Sequence, residues 1–132
     1  MREAVLADTG PLYAATDPSD VHHRRALDEL QKLTRNRREV LVSSPILLEA
    51  YSLVRRRFDP NIAFAWLAEI GEVTLINPTP EDYRQAMAKV QTYIDQPITL
   101  FDSTLAVMAL RMGLQVWTYD YHFDVMRIPV WR

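Results

Sequence analysis

Hydrophobic positions along this chain fall into two alternating patterns: short continuous apolar runs, and longer stripes spaced three and four apart. Ala4-Val5-Leu6-Ala7 is a run suited to a strand buried on both faces. Asp8-Thr9-Gly10-Pro11 ends it, and Pro11 suits the first turn of a helix over residues 12–16. Asp17-Pro18-Ser19-Asp20 is a break with N-cap chemistry, followed by a stripe of Val21, Ala26, Leu27, Leu30 and Leu33 that predicts a helix to about residue 36. Residues 40–42 predict a second strand. Ser44-Pro45 reads as an N-cap and a first-turn Pro, opening a helix to about residue 58. Asp59-Pro60 opens another that Gly71 stops. Residues 73–76 predict a third strand, and Thr79-Pro80-Glu81-Asp82 starts a helix reaching about residue 94. After the Gln96-Pro97 break, a helix over residues 99–112 ends at Gly113. Residues 114–118 predict a fourth strand. Residues 128–131 predict a fifth, at a sheet edge because Pro129 has no N–H for a ladder.

Strands separated by helices imply an α/β fold: one domain over residues 1–132, a three-layer α/β/α sandwich with a mainly parallel sheet of four to five strands. The length of 132 residues and a hydrophobic fraction of 48% suffice for a real core. Cysteine is absent, which excludes a disulfide framework, a thiolate metal site and a Cys nucleophile. The start, Met1-Arg2-Glu3-Ala4-Val5, carries an acid where a secretory leader carries basic charge, and no stretch is long enough to span a membrane. The expectation is a soluble, cytoplasmic protein. The net charge of −2 argues weakly against a general nucleic-acid binder.

Four acids change that picture. Asp8 and Asp120 each follow an apolar strand run, where open parallel sheets bind ligands; the plainer alternative for both is a turn or cap. Glu49 shares a helix face with Ile46, Ala50 and Leu53, a place where the pattern asks for an apolar residue. Its plainer alternative is a stripe-edge acid paired with Arg56 or Arg57. Asp102 begins the stripe of Leu105, Ala106 and Ala109, and Thr99 three residues before it makes a capping box equally consistent. Acids on core-facing positions are costly unless paired, hydrogen-bonded or bound to a cation. Together the four suggest one carboxylate pocket for a hard divalent ion, and with it metal-assisted hydrolysis of a phosphodiester. Without these four, 13 of the 17 acids remain against 15 Lys and Arg, a balance that permits a polyanionic substrate.

The same residues carry a family resemblance. Asp8-Thr9-Gly10-Pro11-Leu12 resembles the opening motif of PIN-domain ribonucleases, and Ser44-Pro45-Ile46-Leu47-Leu48-Glu49 resembles their second. Leu100-Phe101-Asp102-Ser103-Thr104-Leu105-Ala106 is similar to the third. The segment from Gly113 to Phe123, with Thr118-Tyr119-Asp120 at its centre, is similar to the fourth. Each motif is short, but four in order span essentially the whole chain. In size the chain is most similar to VapC-like toxins of type II toxin–antitoxin systems. That resemblance implies a Mg²⁺- or Mn²⁺-dependent endoribonuclease acting on RNA, often a homodimer, restrained by a small antitoxin. It implies Asp8, Glu49, Asp102 and Asp120 as the metal-pocket acids and Thr118 as a supporting hydroxyl, with Thr9 as a second hydroxyl and Asp124 as an extra acid of some members.

Other groups carry less. Arg55-Arg56-Arg57 and Arg35-Asn36-Arg37-Arg38 suit phosphate contact or plain solvation at a helix end. His22-His23-Arg24-Arg25 begins a helix on a segment placed to cover the pocket mouth. The two adjacent His share no helix face and make a poor metal pair, which favours surface or substrate contact; His122 is a candidate for substrate contact. Trp66, Tyr51, Phe64 and Tyr13 read as core or dimer-face residues. Two other functions compete. A non-catalytic PIN-like RNA- or protein-binding module would be expected to lack pocket acids, and all four are present. A phosphoaspartyl phosphatase would show an Asp where Gly10 stands, and a receiver domain would show a Lys after a late strand, where there is none.

Overall fold

A computed structural model describes residues 3–132; Met1 and Arg2, part of the stretch read against a secretory leader, lie outside the described residues. Among the described residues, four strands pair in the order β3-β2-β1-β4: β1 (Ala4–Ala7), β2 (Glu39–Ser43), β3 (Thr74–Ile76) and β4 (Gln115–Trp117). Every pairing is parallel, and Leu6 lies opposite Leu41 on one side and Val116 on the other. Val5, Leu6 and Ala7 are consecutive and all fully buried, so both faces of this central strand are covered. The connections are helical: α1 (Thr9–Thr16) and α2 (His23–Arg35), then α3 (Ser44–Arg57) and α4 (Pro60–Ile70), then α5 (Pro80–Val90) and α6 (Leu100–Met112). A one-turn helix, α7 (His122–Val125), follows β4. Leu6, Val42, Met108, Trp117 and Phe123 are fully buried in one core. Each such side chain contributes roughly 1.5–3 kcal/mol by leaving water.

Several boundaries moved for identifiable reasons. Helix α1 starts three residues earlier than its apolar pattern, because the Asp8 carboxylate caps it through the Thr9 N–H. Pro11 then falls in the first turn, where its missing N–H is no loss. The N-cap of α3 is Ser43, not Ser44, and makes no side-chain cap bond. Helix α5 ends at Val90, short of the expected residue 94, and four-residue turns closed by the Thr92 and Tyr93 N–H groups follow it. The expected fifth strand is a single bridge between Val130 and Val116. Val116 N donates to Pro129 O and Trp131 N to Val116 O, but Pro129 cannot donate onward and no ladder forms.

Two features of this frame position the site. The chain leaves β1 toward β2 on one side and returns to β4 on the other, so a crevice opens beyond the carboxyl ends of β1 and β4. Helix α6, which carries Asp102, is fastened to α5. Arg111 forks onto buried Asp82 through two bonds of 2.8 Å, and Ser103 Oγ donates to Ala86 O at 3.1 Å.

Candidate metal centre

The crevice holds a cavity of about 520 Å³ whose walls include Asp8, Glu49, Asp102 and Asp120. Each acid arrives from a different element. Asp8 follows β1 directly, and its backbone N–H donates to Trp117 O at 2.9 Å, extending the β1–β4 pairing by one bond. Its Oδ1 accepts from Thr9 N at 2.8 Å and its Oδ2 from Thr118 Oγ1 at 2.7 Å. Glu49, half-buried on α3, accepts from the Thr9 hydroxyl. Asp102 sits in the first turn of α6, where its carboxylate accepts from Thr99 N at 3.0 Å and Thr99 Oγ1 accepts from its N–H at 3.1 Å. Asp120 follows β4; its N–H donates to Thr118 Oγ1 and its Oδ1 accepts from His122 N, both at 2.9 Å. The plain cap and turn readings of Asp8, Asp102 and Asp120 therefore hold alongside their convergence, whereas the pairing of Glu49 with Arg56 or Arg57 does not form.

Electrostatics mark the pocket as short of positive charge. Burial pushes the Asp8 carboxyl up to about 7; the Thr118 and Thr9 bonds pull the other way, and the charges of Asp102 and Glu49 push it up further. Burial likewise raises Asp102, with the Asp120 charge adding to it against the Thr99 bonds. Ligand atoms of Asp102, Asp120 and His122 lie within 4.8 Å of one another. Asp8 and Glu49 lie outside that tight group, on the walls beside it. Carboxylate oxygens that repel one another and lack cationic partners are a donor set that a hard divalent ion fits.

Some lining residues were not foreseen. Asp20, read as a helix cap, lines the cavity, as does Tyr119, and they join His22, whose segment was expected at the pocket mouth. The Tyr119 ring is tilted against His22 at 4.8 Å, with the Arg25 guanidinium 4.2 Å from its centroid. The Tyr119 phenol and the Trp117 indole both donate to Glu29 Oε1 of α2. Nothing in the local sequence pairs Glu29 with residues some ninety positions away. Asp124 is exposed and bonds Arg132 at 2.8 Å instead of joining the acids. His23 Nδ1 lies 2.7 Å from Ala14 O. Arg55, Arg56 and Arg57 are exposed at the end of α3, with Arg57 5.9 Å from the Tyr13 ring centroid. Tyr13 and Trp66 belong to the core, whereas Phe64 is exposed.

Comparison with known proteins agrees with this architecture. The family model of the PIN domain matches residues 5–128. No curated protein matches the sequence. Among solved structures, the chain is similar to VapC20 of Mycobacterium tuberculosis, a sarcin–ricin loop cleaving toxin, at 21% identity and a TM-score of 0.83 over 97% of this chain and 98% of that one. It is similar to VapBC2 of Rickettsia felis, solved on a DNA fragment from its promoter, at 15% identity and a TM-score of 0.75 over 96% of each chain. FitAcB of Neisseria gonorrhoeae aligns at 20% identity and a TM-score of 0.68 over 97% of this chain and 96% of that one.

Proposed function

Because the chain belongs to the PIN domain family, we propose that it is a Mg²⁺- or Mn²⁺-dependent endoribonuclease, the toxin of a type II toxin–antitoxin pair in the cytoplasm. The observation that carries this reading is the convergence of Asp8, Glu49, Asp102 and Asp120 on one crevice between β1 and β4. Bound among these acids, a divalent ion would polarise an RNA phosphodiester and supply a nucleophilic water at neutral pH. The protein's own share is orientation. Thr118 fixes the Asp8 carboxylate and the Asp120 backbone with one hydroxyl, and Thr9 fixes Glu49.

Support for the partners is of the same kind. The similar chains include a sarcin–ricin loop cleaving toxin and a VapBC assembly. A groove of about 680 Å³ lined by Leu12, Leu27, Leu30, Ile62 and Trp66 suits the apolar face of an antitoxin segment. Exposed Tyr83, Met87, Leu100 and Phe101 suit a homodimer face on α5 and α6. Among the described residues, no helix is long and apolar enough to cross a membrane.

The test is Asp8→Asn and Asp102→Asn, assayed on RNA with and without Mg²⁺. Both variants should fold and lose cleavage; full activity in either overturns the assignment. Wild-type protein that folds, binds RNA and takes up no Mn²⁺ would favour a non-catalytic module instead.

A further inference from the structure

The His122 ring lies beside the acids without a hydrogen bond of its own. It is 8% exposed, and among the described residues neither Nδ1 nor Nε2 has a hydrogen-bond partner or contact with solvent. A buried imidazole with neither nitrogen in a hydrogen bond loses the hydration of two polar atoms without that compensation. Its Nδ1 lies 2.8 Å from Asp120 Oδ1, yet the oxygen is out of line for a ring hydrogen bond and already accepts from the His122 backbone N–H.

That contact is poor for a hydrogen bond but suits another arrangement. Two ligands on adjacent corners of an octahedral ion, each about 2.1 Å from it, stand about 3 Å apart. The nitrogen and oxygen have that separation, and Asp102, Asp120 and His122 each offer one ligand atom within 4.8 Å of the others. Both nitrogens are closed to water, which argues against direct contact with a substrate. A bare cation is smaller than water and needs no opening of that size. The Tyr121 ring is tilted against the imidazole at 4.4 Å.

We propose that His122 is a nitrogen ligand in this pocket, and that it makes the site select Mn²⁺ over Mg²⁺. This deepens the nuclease reading and rests on it. Mn²⁺ is the weakest binder of the first-row series, yet as a transition ion it takes an imidazole nitrogen more readily than Mg²⁺, which holds to oxygen ligands and its own waters. A mixed nitrogen and oxygen set therefore strengthens Mn²⁺ and leaves Mg²⁺ little changed.

The experiment uses the full chain, stripped of metal and loaded with one equivalent of Mn²⁺. Pulsed electron paramagnetic resonance on the wild type should show the coupling of a directly bonded ¹⁴N. Titration calorimetry on His122→Phe should show Mn²⁺ affinity falling by about tenfold or more, with Mg²⁺ affinity within about twofold of wild type. Bound Mn²⁺ without nitrogen coupling overturns the proposal and leaves the nuclease reading standing, as does an equal loss for both ions. A wild type that binds neither ion overturns both. If His122→Phe does not fold, the wild-type spectrum decides alone.

Discussion

Thr118 Oγ1 donates to Asp8 Oδ2 at 2.7 Å, joining two buried side chains 110 positions apart. The same oxygen accepts the Asp120 N–H, so one hydroxyl sets the angle of one acid and the backbone of another. Thr118→Val keeps the shape and removes both bonds. Mn²⁺ affinity and RNA cleavage should each fall by about 10- to 100-fold, while Thr118→Ser stays near wild type. Unchanged Mn²⁺ titrations for the Val variant would count against a supporting role for this hydroxyl.

Asp8 should make metal-free stability depend on pH in an unusual direction. Its carboxyl is raised from the ordinary 3.8 to about 7, chiefly by burial. Between those values the unfolded chain has released a proton that the folded protein still holds. The stability tied to the protonated form is fully present below about 4 and is lost as pH rises through about 7. The loss is on the order of 4 kcal/mol. Melting temperatures in a chelator should fall from pH 5 to pH 8, and Asp8→Asn should flatten that slope. Saturating Mn²⁺ should flatten it too, since the ion binds the carboxylate form. A wild-type slope that persists in Asp8→Asn would assign the effect to another group.

Arg111 and Asp82 predict the opposite sign. The guanidinium fork holds the Asp82 carboxyl below its ordinary 3.8, and the Thr79 N–H helps. Arg111→Met leaves a buried carboxylate without its counter-charge, at a cost of about 2–3 kcal/mol, toward the lower end for a buried pair because Arg111 is half exposed. The difference from wild type should be full at neutral pH and shrink as Asp82 protonates in acid. Denaturant melts at pH 7 and pH 3 check this. At low temperature cleavage should be retained, because Arg111 lies at the far end of α6 from Asp102.

Glu29 anchors the end of β4 from outside the pocket. Burial, then the Glu29 bond, raises the Tyr119 phenol well above its ordinary value, keeping it a donor. Glu29→Leu strands the Trp117 and Tyr119 donors and should cost about 2 kcal/mol. Glu29→Gln offers an amide oxygen to both and should recover most of that. Equal melting points for the two variants would show that the shared oxygen is not what holds this strand end.

How much was readable beforehand depended on the range of the forces. The run Ala4-Val5-Leu6-Ala7 coincides with β1, and the Thr99 capping box forms as its spacing suggests, because both rest on neighbours in the chain. The four acids stood out because carboxylates interrupt apolar patterns. Glu29 and Asp20 did not, since polar residues on a helix or loop look solvated until the fold brings β4 beside them. The fifth strand failed at Pro129, whose missing N–H limited the pairing to a bridge. His122 drew notice only for standing near Asp120; its unpaired nitrogens are a property of packing, which no spacing encodes.

The strand order has a temporal consequence. Since β1 lies between β2 and β4, the first acid of the crevice must wait for nearly the last strand to be made. Chains emerge from the ribosome at about 5–20 residues per second, amino end first. Asp8 therefore spends several seconds of synthesis without Thr118 and Asp120, and a nascent chain cannot have a finished acidic crevice while much of it is still being translated.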